Sequence, residues 1–251
     1  MSGHSKWHSI KHKKGAVDAK RGKLFTRLTR AIIVAAREGG GNPDMNSALA
    51  NAIQKAKENN MPADNIQRAI KRGTGELEGV SYEPVLYEGY GPSGVAVMVE
   101  ALTDNRNRTA ADIRNIFSRS GGNLAGSGSV AWMFDKKGVV LVPKQGAPDE
   151  DDLLGVVLEA GAEDMRSEDD QFEIVSAPAD LSKVREALAA SGIQFTSAEQ
   201  MMMPKTTERL DAATAKKVLR LMDALEDQDD VQEVYANFDI PDDVMEQVAG
   251  E

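Results

Sequence analysis

YEGYGPSGVAVMVEALTDNRNRT, Tyr87 to Thr109, is where the periodicity of this 251-residue chain changes. Before it, apolar residues recur every three or four positions. Within it and just ahead of it, Tyr82 to Tyr87 and Val95 to Leu102 are rich in Val, Tyr and Leu, and the turn-rich EGYGPSG between them predicts a two-stranded hairpin. Thr109 with Asp112 reads as a capping box. Ile113, Ile116 and Phe117 then supply the buried face of a helix that Gly121 and Gly122 end, and a strand is expected near Val130 to Phe134.

Upstream, the pattern is helical throughout. Leu24, Phe25, Leu28, Ala31, Ile32 and Ala35 fall on one face of a helix expected from about Ala16 to Glu38, which Gly39, Gly40 and Gly41 close. Met45, Leu49, Ala52, Ile53 and Ala56 repeat the period. A third short helix with Pro62 in its first turn carries Ile66, Ala69 and Ile70 and stops at Gly73. These segments predict a three-helix bundle.

Downstream, the elements read strand (Val139 to Val142), helix (Glu150 to Ala160), strand (Glu163 to Arg166), strand (Gln171 to Val175), helix (Leu181 to Ala190) and strand (Ile193 to Met201). That order, βαββαβ, is the ferredoxin-like arrangement. An amphipathic helix with Leu210, Val218, Leu221, Met222 and Leu225 follows, then a strand at Val231 to Ala236. If these last two complete the sheet begun at Tyr82, the βαββαβ unit is an insertion. The expected fold class is therefore α+β multidomain. Its expected parts are a flexible basic tail (1–15), a helical bundle (16–78), an α+β middle domain (79–135 and 204–240), an inserted ferredoxin-like domain (136–203) and a C-terminal tail (241–251).

Charge is divided unevenly along the chain. Residues 1–73 hold 15 Lys and Arg against 5 Asp and Glu, whereas residues 74–251 hold 15 against 35. A basic end on an acidic chain is suited to meeting a polyanion. The cations that point to phosphate contact are Lys6, Lys11, Lys13, Lys14, Lys20, Arg21, Lys23, Arg27 and Arg30, with His12 among them. Trp7 offers either a stacking surface for an unpaired base or a residue to pack on the bundle. In TDNRNRT, Arg106 and Arg108 sit beside a helix N-terminus, where they would suit a phosphate; an ordinary turn ion-paired through Asp104 fits the same residues.

Other chemistries find little support. Gly89 to Gly94 match G-x-G-x-x-G, yet a dinucleotide site needs a helix directly after the glycines, and VAVMVEAL is strand-like. His4, His8 and His12 share a helical spacing but lie among four lysines with no carboxylate before Asp18, which disfavours a metal. The chain has no cysteine, so disulfides, thiol nucleophiles and Cys-ligated zinc are excluded. No G-x-S-x-G elbow occurs, and the acidic runs at Asp149 to Asp152 and Glu168 to Asp170 lack metal-loop spacing. The longest apolar run, Ala31 to Ala36, is far shorter than the roughly 20 residues of a membrane-spanning helix. No enzyme activity, cofactor, metal, membrane or small-molecule substrate is expected.

Taken jointly, GHSKWHSIKHKK, DAKRGKLFTRL, AAREGGGNPDMN, NNMPADNIQRAIKRG, YEGYGPSGVAVMVEALTDNRNRT, GGNLAGSGSVAWMF and VQEVYANFDIP resemble the YebC/PmpR family. The resemblance covers nearly the whole chain. It implies the three-domain fold outlined above and a non-enzymatic cytoplasmic regulator of gene expression. Members of that family are described as DNA-binding transcriptional regulators, as ribosome-associated translation factors and, in mitochondria, as translational activators. DNA and ribosomal RNA both stand as partners on this reading, and the acidic domains could instead dock a basic protein.

Overall fold

The computed structural model describes residues 18–168, 170–241 and 244, with the backbone alone for Asp18 to Arg21. The expected tails at 1–15 and, but for Pro241 and Val244, at 241–251 lie outside these residues. The chain divides into two compact units: Trp132–Arg209 with Asn237–Pro241, and the described residues up to Ala131 with Leu210–Ala236.

In the larger unit, α1 (Asp18–Gly39), α2 (Ser47–Glu58) and α3 (Ala63–Gly73) form the bundle. Leu28, Ile32, Leu49, Ala56, Ile66 and Ile70 make one buried cluster, as their spacing requires. The α1–α2 turn is pinned by Asn46. Its side chain caps α2 by accepting from the Leu49 N–H at 3.1 Å, and its amide donates to the Ala35 and Gly40 carbonyls, each at 2.8 Å. Pro62 is the N-cap of α3 and not a residue of its first turn, because its extended backbone (φ −57°, ψ 139°) precedes the helix.

The same unit contains an antiparallel sheet of order β3-β1-β2-β9, made of β1 (Glu83–Tyr90), β2 (Ala96–Thr103), β3 (Asn123–Leu124) and β9 (Val231–Ala236). It is completed from two distant parts of the chain. The connecting helices are α4 (Arg106–Arg119), which buries Ile113 and Phe117, and α7 (Ala212–Glu226), which buries Val218, Leu221, Met222 and Leu225. The α4 start corrects the sequence expectation. Asn105 is the N-cap, its side chain accepting from the Arg108 N–H at 3.1 Å, while Thr109 lies inside the helix and its hydroxyl is used elsewhere.

The glycines of GYGPSG have steric roles. A Cβ on Gly89 would stand 2.9 Å from the Phe117 ring and 2.7 Å from the Asn123 carbonyl, and one on Gly91 would stand 3.0 Å from Leu221. Gly94 has φ +80°. Close packing and turn geometry thus account for the motif.

The second unit follows the order β4 (Phe134–Pro143), α5 (Glu150–Glu159), β5 (Ala162–Ser167), β6 (Gln171–Ser176), α6 (Leu181–Ala190), β7 (Ser197–Pro204). Its sheet, β5-β6-β4-β7, is antiparallel at every pairing, which is the ferredoxin-like order. Val140, Val142, Leu153, Val157, Ile174, Val184 and Leu188 form its core. A short parallel pair, β8 (Glu208–Arg209) with β10 (Phe238–Asp239), belongs to the same unit. Several strand boundaries differ from expectation: β1 continues through Glu88 to Tyr90, into the expected turn, and β4 is one strand where the sequence predicts separate strands near Val130 to Phe134 and at Val139 to Val142. Ala131–Met133 is a 3-10 turn, with strand beginning only at Phe134; Ile193 is buried in the approach to β7, which begins at Ser197. Ala131–Met133 buries no residue and Trp132 is 67% exposed, so apolar composition there does not mark a strand, whereas Ile193 is buried in irregular chain.

Candidate nucleic-acid interface

Lys23, Arg27 and Arg30 follow one another at helical spacing on α1, and the fold places all three against the C-terminal end of α7. Lys23 Nζ donates to the Asp227 carbonyl at 3.0 Å and lies 3.6 Å from the Asp227 carboxylate. Arg27 donates to the Glu226 carbonyl. Arg30 Nη1 donates to the Asp229 carbonyl and to the Asp230 carboxylate, both at 2.7 Å, and its guanidinium stacks 4.9 Å from the centroid of the Tyr82 ring. A helix C-terminus presents unpaired carbonyls and partial negative charge, so cations there are favourable. Part of the basic signal in the sequence is thus internal docking chemistry.

Asp230 is the centre of this arrangement. Its side chain is 2% exposed and accepts from Arg30, from Arg108 Nη2 at 2.9 Å and from the Thr109 hydroxyl at 2.6 Å. Burial pushes its carboxyl up, but the hydrogen bonds from Thr109 and Arg108 and the charge of Arg30 outweigh that and hold it below its ordinary value. Arg108 is also 2.8 Å from Asp104, and these two carboxylates, Asp230 foremost, raise its pKa above the usual arginine value. Of the two arginines in TDNRNRT, Arg108 therefore lies in an ion-paired turn. Arg106 is 65% exposed and stands 4.0 Å from Glu83.

What remains open on α1 is a shallow cleft lined by Gly22, Lys23, Thr26, Arg27, Arg30 and Asp229. Lys23 keeps 47% of its side chain exposed there. The Nε atoms of Arg27 and Arg30 are buried and have no hydrogen-bond partner among the described residues. Lys20 and Arg21 lie in the first turns of α1. Lys6, Trp7, Lys11, His12, Lys13 and Lys14 lie outside the described residues.

Glu88 was not singled out from the sequence. It is 3% exposed, and its carboxylate accepts from three backbone N–H groups: Gly128 at 2.6 Å, Val130 at 2.7 Å and Ala131 at 2.8 Å. Burial alone would raise its pKa, and those three bonds bring it below the ordinary value. This is how β1 holds the loop GSGSVA. A carboxylate amid strand-forming residues was the available signal. Among the described residues no group of three His, Cys, Asp or Glu is placed to hold a metal, and no helix is long and apolar enough to cross a membrane.

Two family models account for the chain: the TACO1/YebC protein N-terminal domain over residues 5–76, and the TACO1/YebC second and third domain over residues 82–238. The chain belongs to the TACO1/YebC family. A relative in this family from Rubrobacter xylanophilus is 61% identical over 100% of both chains. Another from Pelotomaculum thermopropionicum is 58% identical, over 96% of this chain and 100% of its own. Both are described as a "probable transcriptional regulatory protein". The crystal structure of a conserved hypothetical protein from Aquifex aeolicus matches with a TM-score of 0.82 at 50% identity, covering 93% of this chain and 96% of that one. The bundle and α+β architecture described above is thus the TACO1/YebC fold.

Proposed function

We propose that this chain is a non-enzymatic, cytoplasmic, nucleic-acid-binding regulator of gene expression, with residues 1–73 as the phosphate-contacting end and the acidic α+β domains as the body that carries it. The observation that supports this most is the charge division, 15 cations against 5 anions in that segment and 15 against 35 in the remainder. A polyanion is attracted to one end and repelled by the other. The description of the relatives as transcriptional regulators points to promoter DNA as the ligand.

The geometry of α1 favours RNA as a second reading. Arg30 is 13% exposed and Arg27 is half-buried against α7, so this face of α1 has little to lay into a major groove. A basic arm with one aromatic, Trp7, is suited to an irregular RNA cleft such as ribosomal RNA presents. Co-sedimentation with ribosomes through a salt series, with promoter-length duplex as competitor, separates the two. Ribosome binding that survives excess duplex supports the RNA reading, and sequence-selective retention of duplex without ribosome binding supports the DNA reading. Retention of neither contradicts both.

A further inference from the structure

Residues 223–233, DALEDQDDVQE, carry six carboxylates and no Lys or Arg. This stretch runs from the last turn of α7 into β9, and the fold lays it along the cations of the bundle. Lys23 lies 3.6 Å from the Asp227 carboxylate, Arg30 lies 2.7 Å from that of Asp230, and Lys55, on α2, lies 2.9 Å from that of Glu233. Arg27 and Arg30 also donate to the Glu226 and Asp229 carbonyls. Each of these bonds runs from a bundle cation to an acceptor in one short acidic stretch. Glu100 stands directly across from Glu233 in the β2–β9 register, so Lys55 docks where two like charges are side by side. A polynucleotide would offer the same cations the same chemistry, a row of closely spaced anionic oxygens.

The bundle keeps its own apolar core. Its buried cluster is drawn from α1, α2, α3 and Met61, and among the described residues Tyr82 alone packs against it from beyond α3. The ion pairs to the acidic stretch grade from buried to open. Arg30 and Asp230 are largely buried, whereas Lys23 and Asp227 keep 47% and 72% of their side chains exposed, and Lys55 and Glu233 keep 42% and 28%. Exposed pairs are screened and weak, so a phosphate oxygen replaces a carboxylate oxygen there at little net cost. The buried pair does not exchange in this way, because opening it leaves an uncompensated charge inside the fold.

We infer that residues 223–233 are an internal stand-in for phosphate: Asp227 and Glu233 occupy Lys23 and Lys55 when no polynucleotide is bound, and a bound polynucleotide displaces them. The inference rests on the nucleic-acid-binding reading above and adds its regulation. The Arg30–Asp230 pair stays closed through the exchange, so the bundle keeps its seat on α7 while the outer cations change partners. Affinity for a polyanion is then lower than unoccupied cations would give, by the weight of the pairs that must first open. An isolated phosphate displaces one carboxylate at a time and gains little. A continuous backbone displaces both in one binding event, so the closed rim favours polynucleotide over mononucleotide.

The test is binding of a fluorescein-labelled oligouridylate to the full chain at one salt concentration, comparing wild type, a variant with D227N and E233Q, and a variant with D151N and E159Q. The last two residues are exposed on α5, and their replacement changes the net charge equally. Glu233→Gln also relieves the repulsion from Glu100, which favours the folded sheet. Opening the rim is expected to tighten binding about threefold to tenfold, with the α5 variant close to wild type. Equal tightening in both variants overturns the stand-in and leaves the nucleic-acid reading standing. No binding by any of the three overturns both. A second measurement needs no variant. A carbodiimide joins an amine and a carboxylate in contact as an amide, and peptide mapping reads the Lys55–Glu233 link in the wild-type chain. Saturating oligouridylate is expected to lower the yield of that link several-fold, and an equal yield with and without it overturns the exchange.

Discussion

The Arg30 guanidinium and the Asp230 carboxylate, 200 residues apart in sequence, meet at 2.7 Å with both side chains largely buried. This pair joins the first helix of the bundle to the turn before the last sheet strand, and Arg108 and Thr109 complete the same node from α4. Breaking one side of a buried pair leaves the other charge uncompensated, which costs more than the pair itself contributes. Asp230→Ala should lower the unfolding free energy by about 3 kcal/mol, read as a lower urea midpoint. Arg30→Ala combined with Asp230→Ala should cost less than the two singles added. Additive losses would show that the two residues are not coupled.

Acid should weaken the fold through two named carboxyls. Glu88 and Asp230 both have folded-state pKa values below their ordinary 4.5 and 3.8. Their contribution is therefore fully present above the ordinary values and is lost as pH falls through the lower folded values. Urea midpoints should hold steady above about pH 5 and drop below about pH 4, and Glu88→Gln should remove part of that drop. An identical acid profile in Glu88→Gln would take Glu88 out of the account.

Gly122→Ala should destabilise by about 1–3 kcal/mol, because the added methyl meets a backbone oxygen that cannot move aside easily. Thermal melting measures it. Gly94→Ala should also lower the melting temperature, through its φ of +80° and not through crowding, since nothing lies within 4 Å of its Cβ position. A melting temperature unchanged by both would undo the close-packing account of Gly122 and the backbone account of Gly94.

Periodicity showed most of the fold because each element covers its own core. Leu28 and Ile32 on α1 and Ile66 and Ile70 on α3 are buried where their spacing predicts, and the apolar run Val139 to Val142 is buried throughout. Boundaries were harder to read. Asn105 and Thr109 are both good N-caps by composition, and only the partner of Thr109, Asp230, more than a hundred residues away, decides between them. The candidate site was legible as charge and not as use. Nothing local to Lys23, Arg27 or Arg30 indicates that the carbonyls of Glu226, Asp227 and Asp229 lie opposite them. Glu88 likewise looks like any strand carboxylate until its loop folds over it.

Trp7→Ala should weaken binding to single-stranded RNA by about 1–3 kcal/mol with the salt slope unchanged, as expected for a residue that stacks on a base. Filter binding through a salt series measures both quantities. Equal loss on every ligand, with a lower melting temperature, would mark Trp7 as a packing residue instead.

The most direct test of the central claim is the slope of log K against log salt for Lys11→Ala, Lys13→Ala and Lys14→Ala combined, on duplex DNA and on single-stranded RNA. Phosphate contact by the basic end predicts a slope flatter by about 0.9 per lysine on the duplex and about 0.7 on the single strand, with the melting temperature unchanged. Slopes identical to those of the wild-type chain on both ligands would contradict it.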